Sequence, residues 1–491
     1  MSSAVSTPTK GGDPSLAKRT MGDLVKATVS GWLGTALEFM DFQLYSLAAA
    51  LVFKDIFFGH GSQAVAIMSA MAVYGVGYIA RPIGAWYFGR LGDRIGRTHV
   101  LFITIAIMGV ATTLIGALPT YDQVGLLAPA LLVILRLVQG FGAGAEIAGS
   151  SVLLAEYAPT KQRGIIASLT ALGTNSGTLF AGAVWAVLLA WLGNDAVIAW
   201  GWRIPFLGSV IVMGVAVFIR IHLKETPVFE ASVDEIIEEY DKPLDREAEK
   251  AKKEAAAQAR KEAIAKLAKT KRSWKAFLVA CALRFGQSGN SGMVQTYLIT
   301  FLTANLLVSK SVASNIVVYS SLVGFLTVPI IGWLGDLFGR KRMYTVVTVI
   351  DFFLIVPCFL MMLNNRGTDT VMEQTSTGMV AHFSNPTLMF FIGYIVLHNL
   401  SVLALASLEN LTMAECFGSA HRYEQLALSK EIPNLITAGF GPLVAAALVA
   451  VFNSWVALAV LMFFYTAVTF GASIVMTEVA GRDLTVREDA M

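Results

Sequence analysis

The feature that most constrains this chain is a succession of long apolar runs that recurs along its whole length. A helix of about 20 apolar residues spans a hydrocarbon core that is about 30 Å thick. Hydrophobic residues make up 55% of the sequence and charged residues only 14%, whereas a soluble domain carries about 25% charged residues. The sequence therefore predicts an all-α, multi-pass membrane protein.

The runs form two groups of six, separated by a charged segment. Their approximate limits are 24–53, 63–89, 98–118, 124–156, 163–193 and 202–222, then 274–305, 312–335, 341–363, 386–414, 423–452 and 454–477. We expect about twelve transmembrane helices in two pseudo-symmetric six-helix bundles, over residues 23–223 and 274–478. A flexible tail over 1–22, a charged helical insert over 224–273 and a second tail over 479–491 complete the chain.

Basic residues are concentrated in alternate short loops. These residues are Arg90, Arg94, Arg97, Lys161, Arg163, Arg340, Lys341, Arg342 and Arg422, while the opposite loops hold Lys54, Lys310 and Arg366. Because Lys and Arg accumulate in cytoplasmic loops, we expect both termini and the charged insert to face the cytoplasm.

One glycine-rich loop occurs twice. Residues 89–97 read Gly-Arg-Leu-Gly-Asp-Arg-Ile-Gly-Arg, and the same Gly, Leu, Gly, Asp, Gly and Arg recur in register over 332–342. Such a repeat indicates two related halves. Glycine permits backbones to approach closely, and an aspartate can cap a helix or pair across a turn. The loops therefore predict tight cytoplasmic turns that also form part of a gate and not a substrate site. The candidate gate residues are Gly89, Asp93, Arg94, Gly96 and Arg97 in the first copy and Asp336 and Arg340 in the second.

Ionisable residues lie inside several predicted spans, where they are expensive and usually functional. Glu38, Asp41 and Tyr45 share one helical face, because they are spaced three and four residues apart. The other polar groups of interest are Tyr74, Tyr78, Arg81, Arg136, Gln139, Glu146, Arg284, Gln287, Asn290, His398, Asn399, Glu409, Asn410, Lys430 and Glu431. Inter-helix ion pairs that only hold the bundle together are the alternative interpretation, since each buried charge needs a partner. Asp351, in the middle of the ninth span, has no partner in this pattern.

These residues carry a resemblance to a known family. The two glycine-rich loops resemble the signature loops of the major facilitator superfamily, and Glu38-Phe39-Met40-Asp41-Phe42 followed by Tyr45 resembles the first-helix element of its metabolite:proton symporter family. The other matching strings are Arg81-Pro82-Ile83-Gly84, Arg136 with Gln139-Gly140 and Glu146, Ala155-Glu156 with Pro159 and Arg163-Gly164, Gly201-Trp202-Arg203-Ile204-Pro205-Phe206, Glu225-Thr226-Pro227, Ala414-Glu415 with Phe417, Arg422-Tyr423, and Gly481-Arg482-Asp483-Leu484.

That family includes transporters for shikimate, α-ketoglutarate, citrate and proline/betaine. The resemblance implies two bundles that rock about a midplane site, in a multi-pass protein of the bacterial cytoplasmic (inner) membrane that works as a monomer. It also implies proton-coupled uptake of a small organic acid, such as a dicarboxylate, a tricarboxylate or a shikimate-like acid. The chain departs from the family pattern at Phe39 and Met40, at Gln287 and in its longer insert.

The residues permit a coupling hypothesis. Burial favours the protonated form of Asp41, and a nearby arginine opposes it. If Asp41 and Glu146 pair with Arg136 and Arg81, protonation releases an arginine for a substrate carboxylate, so proton and anion favour each other's binding. The expected proton-coupling residues are Asp41, Glu38, Arg136 and Glu146, and the expected substrate-binding residues are Tyr45, Arg81, Gln139, Arg284, Gln287, Asn290 and Asn399.

Other functions stay open at this point. A zwitterion such as a betaine also suits paired charges, and an uncoupled facilitator or a nutrient sensor could use the same scaffold. An enzyme is disfavoured, because the sequence has no H-E-x-x-H, no P-loop and no fitting G-x-S-x-G. The three cysteines are too scattered for a metal site. We therefore expect no cofactor, no metal and no nucleic acid partner, only a substrate, a proton and the lipid bilayer.

Overall fold

The computed structural model describes residues 21–48, 52–53, 56–57, 63–221, 272–375, 378–452 and 454–491. The predicted first tail and the charged insert lie almost wholly outside these ranges. Within them, the long helices form two groups of six, as the apolar runs predict.

The first group follows the first six apolar runs. Its helices are α1 (Met21–Ala48), α2 (Gln63–Ile95), α3 (Arg97–Gly116), α4 (Leu127–Ala143, continued by Glu146–Tyr157), α5 (Arg163–Ala196) and α6 (Arg203–Ile221). Aromatic side chains fill the core of this half. Phe53 stacks on Phe206 and meets Trp202 edge to face, with ring centroids 5.7 and 5.4 Å apart.

The second group contains three helices that are each interrupted by a π turn. Its helices are α7 (Trp274–Ser291, Gly292–Tyr297 and Leu298–Ala304), α8 (Lys310–Phe338), α9 (Arg340–Asn364), α10 (Leu388–His398, Asn399–Ala404 and Leu405–Cys416), α11 (Arg422–Asn434, Leu435–Gly439 and Phe440–Phe452) and α12 (Trp455–Val475). The π turns of α7, α10 and α11 lie in the middle of their spans, and such turns are frequent at functional sites.

The ends of these helices follow local sequence rules. Ser273, Ser309 and Ser454 cap α7, α8 and α12, each accepting a backbone N–H with its hydroxyl. Between α2 and α3, and between α8 and α9, the chain turns at Gly96 and Gly339, whose φ angles are 109° and 92°. Residues other than glycine rarely adopt such positive φ angles, so glycine allows the sharp turn in both repeated loops.

A β-hairpin lies between α9 and α10. Its strands β1 (Thr370–Thr375) and β2 (Gly378–Phe383) are antiparallel, with Thr370 opposite Phe383. Seven of the described helical segments are long and apolar enough to span a membrane by length and composition. The two-bundle membrane fold is confirmed by the solved structure reported below.

Candidate functional site

A buried ion-pair network lies where the two bundles meet. The Arg81 guanidinium of α2 binds Glu431 of α11 through two nitrogen–oxygen contacts of 2.6 and 2.9 Å. It also contacts the Glu38 carboxylate of α1 at 2.6 Å. All three side chains are buried. Arg81 therefore joins two helices of the first half to one helix of the second.

The network continues through the second half. Arg284 of α7 lies 3.3 Å from both carboxylate oxygens of Glu409 and donates to Gln287 at 2.7 Å. Lys430 lies 3.3 Å from the Glu409 carboxylate and hydrogen-bonds Asn410. These groups form a mixed-charge cluster of two cations and one carboxylate.

Two amides connect this mixed-charge cluster to the rest of the site. Asn434 accepts from Arg284 at 3.3 Å and donates to Glu431 at 3.4 Å. Asn410 donates to the Thr170 hydroxyl of α5 at 2.7 Å. The polar network therefore crosses between the halves twice, at Arg81–Glu431 and at Asn410–Thr170.

Asp41 lies in a second arm of the site, inside the first half. The Thr112 hydroxyl of α3 donates to the Asp41 carboxylate at 2.8 Å, and Gln139 of α4 donates to the same hydroxyl at 2.7 Å. Gln139 in turn accepts from Arg136. The Arg136 guanidinium lies over the ring of Tyr45, 4.1 Å from its centroid. The structure thus brings together four of the predicted residues around Thr112.

Glu146 and Arg81 have partners that differ from those of the coupling hypothesis. Glu146 accepts from the Thr104 hydroxyl at 2.8 Å and from Ser150 at 3.3 Å. Arg81 takes Glu38 and Glu431 as its carboxylate partners. Helical spacing relates residues on one face of one helix and gives no information about contacts between bundles. The coupling hypothesis therefore paired Arg81 with carboxylates of the first half.

The other predicted binding residues are divided between clusters. Gln287 belongs to the mixed-charge cluster through Arg284. Asn290 donates instead to Thr466 at 3.1 Å. Asn399 donates to the Ser320 backbone and hydroxyl at 3.3 Å, beside His398.

Sequence reasoning left some important residues out of the predicted site. Glu409, Lys430 and Glu431 are ionisable residues in apolar spans, and that signal could have placed them in it. Thr112 and Thr170 carry no such signal, because threonine is unremarkable in a membrane helix, where its hydroxyl can bond its own helix.

The first glycine-rich loop contacts the opposite half directly. The Asp93 carboxylate accepts the backbone N–H groups of Tyr423 and Glu424 at 3.2 and 3.0 Å. These groups lie in the first turn of α11, where a helix presents unsatisfied donors and partial positive charge. A Cβ atom on Gly92 would lie 2.0 Å from the Tyr423 ring. Glycine is therefore required for this approach.

The second glycine-rich loop makes the corresponding contact in the other direction. Asp336 accepts the N–H of Gly164 at 2.8 and 2.9 Å and that of Ile165 at 3.1 Å, at the start of α5. Arg340 contacts Asp336 at 2.7 Å and Glu415 at 3.0 Å. Arg94 of the first loop is exposed, and the side chain of Arg97 lies outside the described part of the chain.

We call this end of the molecule the basic face, comprising 89–97, 156–165, 332–342, 415–424 and 476–491. The last of these segments lies across both halves. Its backbone carbonyls at Arg482 and Leu484 accept from Arg163 and Arg422 at 2.9 and 2.8 Å. Arg422 also binds Glu156 at 2.7 Å. The two halves are therefore tied together at the basic face in this structure.

The site's chemistry is that of binding. Among the described residues, no group of three His, Cys, Asp or Glu side chains is placed to hold a metal ion. The network instead offers guanidinium groups, which bind carboxylates through two parallel hydrogen bonds, and carboxylates that can exchange those partners.

Known proteins share both the sequence and the fold. The family profile described as "Sugar (and other) transporter" matches residues 33–484. YdfJ of Escherichia coli (strain K12), whose name gives it as a transporter without a substrate, is 45% identical over 451 residues, which cover 92% of this chain and 96% of that protein. The shikimate transporter of the same strain is 30% identical over 436 residues, covering 89% and 90%.

A solved structure has the same architecture. The proton:xylose symporter XylE of the major facilitator superfamily, bound to 6-bromo-6-deoxy-D-glucose, superimposes with a TM-score of 0.71 at 16% sequence identity, covering 96% of this chain and 99% of XylE. That likeness establishes two bundles of six membrane-spanning helices. With the family profile and the relatives, it shows that this chain is a multi-pass transporter, not an enzyme, that has the fold of XylE and belongs to the sugar (and other) transporter family.

Proposed function

We propose that the protein takes up a small organic acid together with a proton, by alternating access across the bacterial inner membrane. The observation that carries this proposal is the position of Arg81, buried between Glu38 and Glu431 at the junction of the two halves. The name of the shikimate transporter among the relatives supports a carboxylate substrate. In this proposal one chain acts as a monomer, with both termini in the cytoplasm.

Exchange of carboxylate partners links the two ligands. A substrate carboxylate that binds Arg81 displaces Glu431 or Glu38 from the guanidinium. The displaced carboxylate is then buried without a cation, which favours its protonation. Binding of the anion and binding of the proton therefore support each other, as symport requires.

Asp41 supplies the first-half proton site in this scheme. Its carboxylate is connected to Arg136 through Thr112 and Gln139. A proton on Asp41 reverses the hydrogen bond with Thr112, because the neutral acid donates where the carboxylate accepted. The altered hydrogen bond of Thr112 affects Gln139 and, through it, Arg136. The position of Arg136 thereby depends on whether Asp41 holds a proton.

Movement of the two halves completes the cycle. Asp93 and Asp336 hold the basic face closed through helix N-termini of the opposite half. Rocking of the bundles breaks these contacts and opens the site toward the basic face. We infer that this face is the cytoplasmic one, because it carries most of the basic loop residues.

Uptake into proteoliposomes tests the proposal. Asp41→Asn should keep substrate exchange and lose uphill accumulation, and Arg81→Ala or Arg136→Ala should abolish anion uptake. Arg366→Ala is the matched control, because Arg366 lies in the loop after α9 and contacts the Phe383 ring at 4.9 Å. Normal uphill accumulation by Asp41→Asn would remove Asp41 from the proton path, and unchanged affinity in both arginine variants would exclude them from anion binding.

A zwitterion is the second candidate substrate. The mixed-charge cluster favours it, since Glu409 lies between Arg284 and Lys430 and could receive a substrate cation. A thermal-shift panel at acidic and neutral pH separates the two candidates. A ligand at 100 times its dissociation constant stabilises a protein by about 2.7 kcal/mol. A larger thermal shift with shikimate or α-ketoglutarate at acidic pH supports an organic acid as the substrate. A thermal shift with betaine alone supports a zwitterion.

A further inference from the structure

One buried carboxyl lies outside the network described above. Asp351, in the middle of α9, has no exposed surface. It accepts from the Thr466 hydroxyl of α12 at 2.8 Å and from the Ser401 hydroxyl in the π turn of α10. Asn290 of α7 donates to the same Thr466 hydroxyl at 3.1 Å. Four helices of the second half therefore meet at this carboxyl.

The surroundings of Asp351 are neutral. Its hydrogen bonds within the described chain come from two hydroxyls, and Cys358 lies about two turns further along the same helix. The charged and titratable groups of the helices packed on α9 are Lys310, Tyr319 and Asp336 of α8, Tyr394, His398, Glu409, Glu415 and Cys416 of α10, and Tyr465 of α12, while α7 carries Lys275, Cys281, Arg284 and Tyr297. Among these groups, no described side chain forms an ion pair or a hydrogen bond with Asp351.

Two of the basic groups among them, Arg284 and His398, are bound to other residues. Arg284 is held by Glu409, Gln287 and Asn434. His398 bonds Ser320 at 2.6 Å and Gln295 at 2.9 Å. An ionised carboxylate would thus be buried without a cation, which is far less favourable than burial of the neutral acid.

We propose that Asp351, Ser401, Thr466 and Asn290 form a second proton-binding site, separate from Asp41, in which the Asp351 carboxyl holds the proton. A hydroxyl both donates and accepts, so Ser401 or Thr466 can accept a hydrogen bond from the neutral acid after rotating. The Oδ1 atom of Asn290 is buried and has no hydrogen-bond partner among the described residues. When Thr466 no longer donates to the carboxyl, its hydroxyl can donate a hydrogen bond to this amide oxygen instead.

The site matters for transport because of the helices it joins. Asn290 and Ser401 lie beside or within the π turns of α7 and α10, and these helices also carry Arg284 and Glu409 of the mixed-charge cluster. Loss of the proton would leave a charge at the meeting point of four helices. The inference itself concerns proton binding and can be tested without a substrate.

Infrared spectroscopy of the purified full-length protein is the first test. At neutral pH the wild type should show the carbonyl band of a neutral carboxylic acid, and Asp351→Asn should lose part of that band. Asp369→Asn, which changes an exposed carboxyl in the loop after α9, should leave it intact, and Ser401→Ala should shift it. A band that is identical in wild type and Asp351→Asn would overturn the proposal.

The pH dependence of unfolding is the second test. It does not use the infrared spectrum, so it distinguishes loss of the proton site from an indirect effect of the substitution on the bands of other groups. If the folded state holds a proton that the unfolded state has released, the unfolding equilibrium constant rises with pH by up to about 10-fold per unit. The rise begins above about pH 4, where an unfolded aspartate is ionised, and ends where the folded state also releases its proton. This rise should be steeper in the wild type and in Asp369→Asn than in Asp351→Asn, which keeps only the contribution of other carboxyls such as Asp41. Parallel curves of stability against pH for the wild type and Asp351→Asn would contradict a proton site. Greater stability in sodium than in choline salts, present in the wild type and lost in Asp351→Asn, would also contradict it.

Discussion

The two glycine-rich loops make the same backbone contact but differ in their ion pairs. Each loop places one aspartate on the first turn of a helix from the opposite half, Asp93 on α11 and Asp336 on α5. In the second copy, Arg340 is also buried between Asp336 and Glu415. An aspartate–helix contact therefore joins each loop to the opposite half, and the second copy adds a buried charge that depends on its partners.

The largest expected effect separates the two aspartates. Asp336→Asn replaces one accepting carboxylate oxygen by an NH2 donor and removes the negative charge that pairs with buried Arg340, so it should destabilise the protein by about 3–5 kcal/mol. Asp93→Asn also loses one of the two oxygens that accept backbone N–H groups but leaves Arg340 paired, so it should have a smaller effect, about 1–3 kcal/mol. Thermal unfolding in detergent measures both, and equal losses would show that Arg340 adds nothing to the second copy.

The glutamates in the last turns of α4 and α10, Glu156 and Glu415, allow a finer comparison of two buried arginine pairs at the basic face. In Glu415→Gln, Asp336 is the carboxylate that still pairs with Arg340 among the described residues. The substitution also weakens the contact between residue 415 and Arg163, which lie 3.8 Å apart in the wild type. Glu156→Gln leaves Arg422 with the backbone carbonyls of Ala414, Phe417 and Leu484. We expect a loss of about 2–3 kcal/mol for the first variant and about 1–2 kcal/mol for the second. The reverse order in unfolding experiments would show that the Glu156–Arg422 pair contributes more to stability than the Glu415–Arg340 pair.

Close backbone approach predicts a steric effect of intermediate size. A Cβ on Gly164 would lie 2.3 Å from the backbone oxygen of Gly332, which cannot rotate away. Gly164→Ala should therefore destabilise the closed basic face by about 1–3 kcal/mol. Gly208→Ala, where no atom lies within 4 Å of the added Cβ, is the control. Spin labels at Arg94→Cys and Arg342→Cys should report a longer distance across the face in Gly164→Ala only.

The smallest effect is expected at the end of the chain. Asp489 accepts the N–H of Ser273 at 2.7 Å and that of Gly418 at 2.9 Å, both within the second half. Asp489→Ala should therefore cost only about 0.5–1.5 kcal/mol. Cys416, which is buried beside this segment, should react faster with maleimide in the variant. An unchanged labelling rate would show that other contacts hold the segment in place.

Sequence alone predicted the architecture because its signals are local. Apolar runs set the helices, and the repeated loops indicated two related halves with aspartates at a gate. The partners of those aspartates were not predictable, since backbone N–H groups at the start of α5 and α11 carry no residue signature. The Arg81–Glu431 pair was missed for a related reason: it joins residues 350 positions apart, and helical spacing relates only neighbours on one helix.

Polar clusters in the second half show the same limit. Glu409, Lys430 and Glu431 could be recognised as ionisable residues within spans, but not as one network with Arg284. Asp351 could be found in the same way, whereas its neutral surroundings depend on which faces of α7, α10 and α12 turn toward it. Packing of several helices decides these contacts, so only the structure shows them.

Proton movement on addition of substrate tests the central claim most directly. Proteoliposomes with a pH-sensitive dye inside would receive shikimate, α-ketoglutarate, citrate or betaine outside, at equal pH on both sides. Proton-coupled uptake predicts acidification of the lumen by at least one organic acid with the wild type and Arg366→Ala, and none with Asp41→Asn or Arg81→Ala. Accumulation of an acid without any change of internal pH, or equal acidification in Asp41→Asn, would contradict the account.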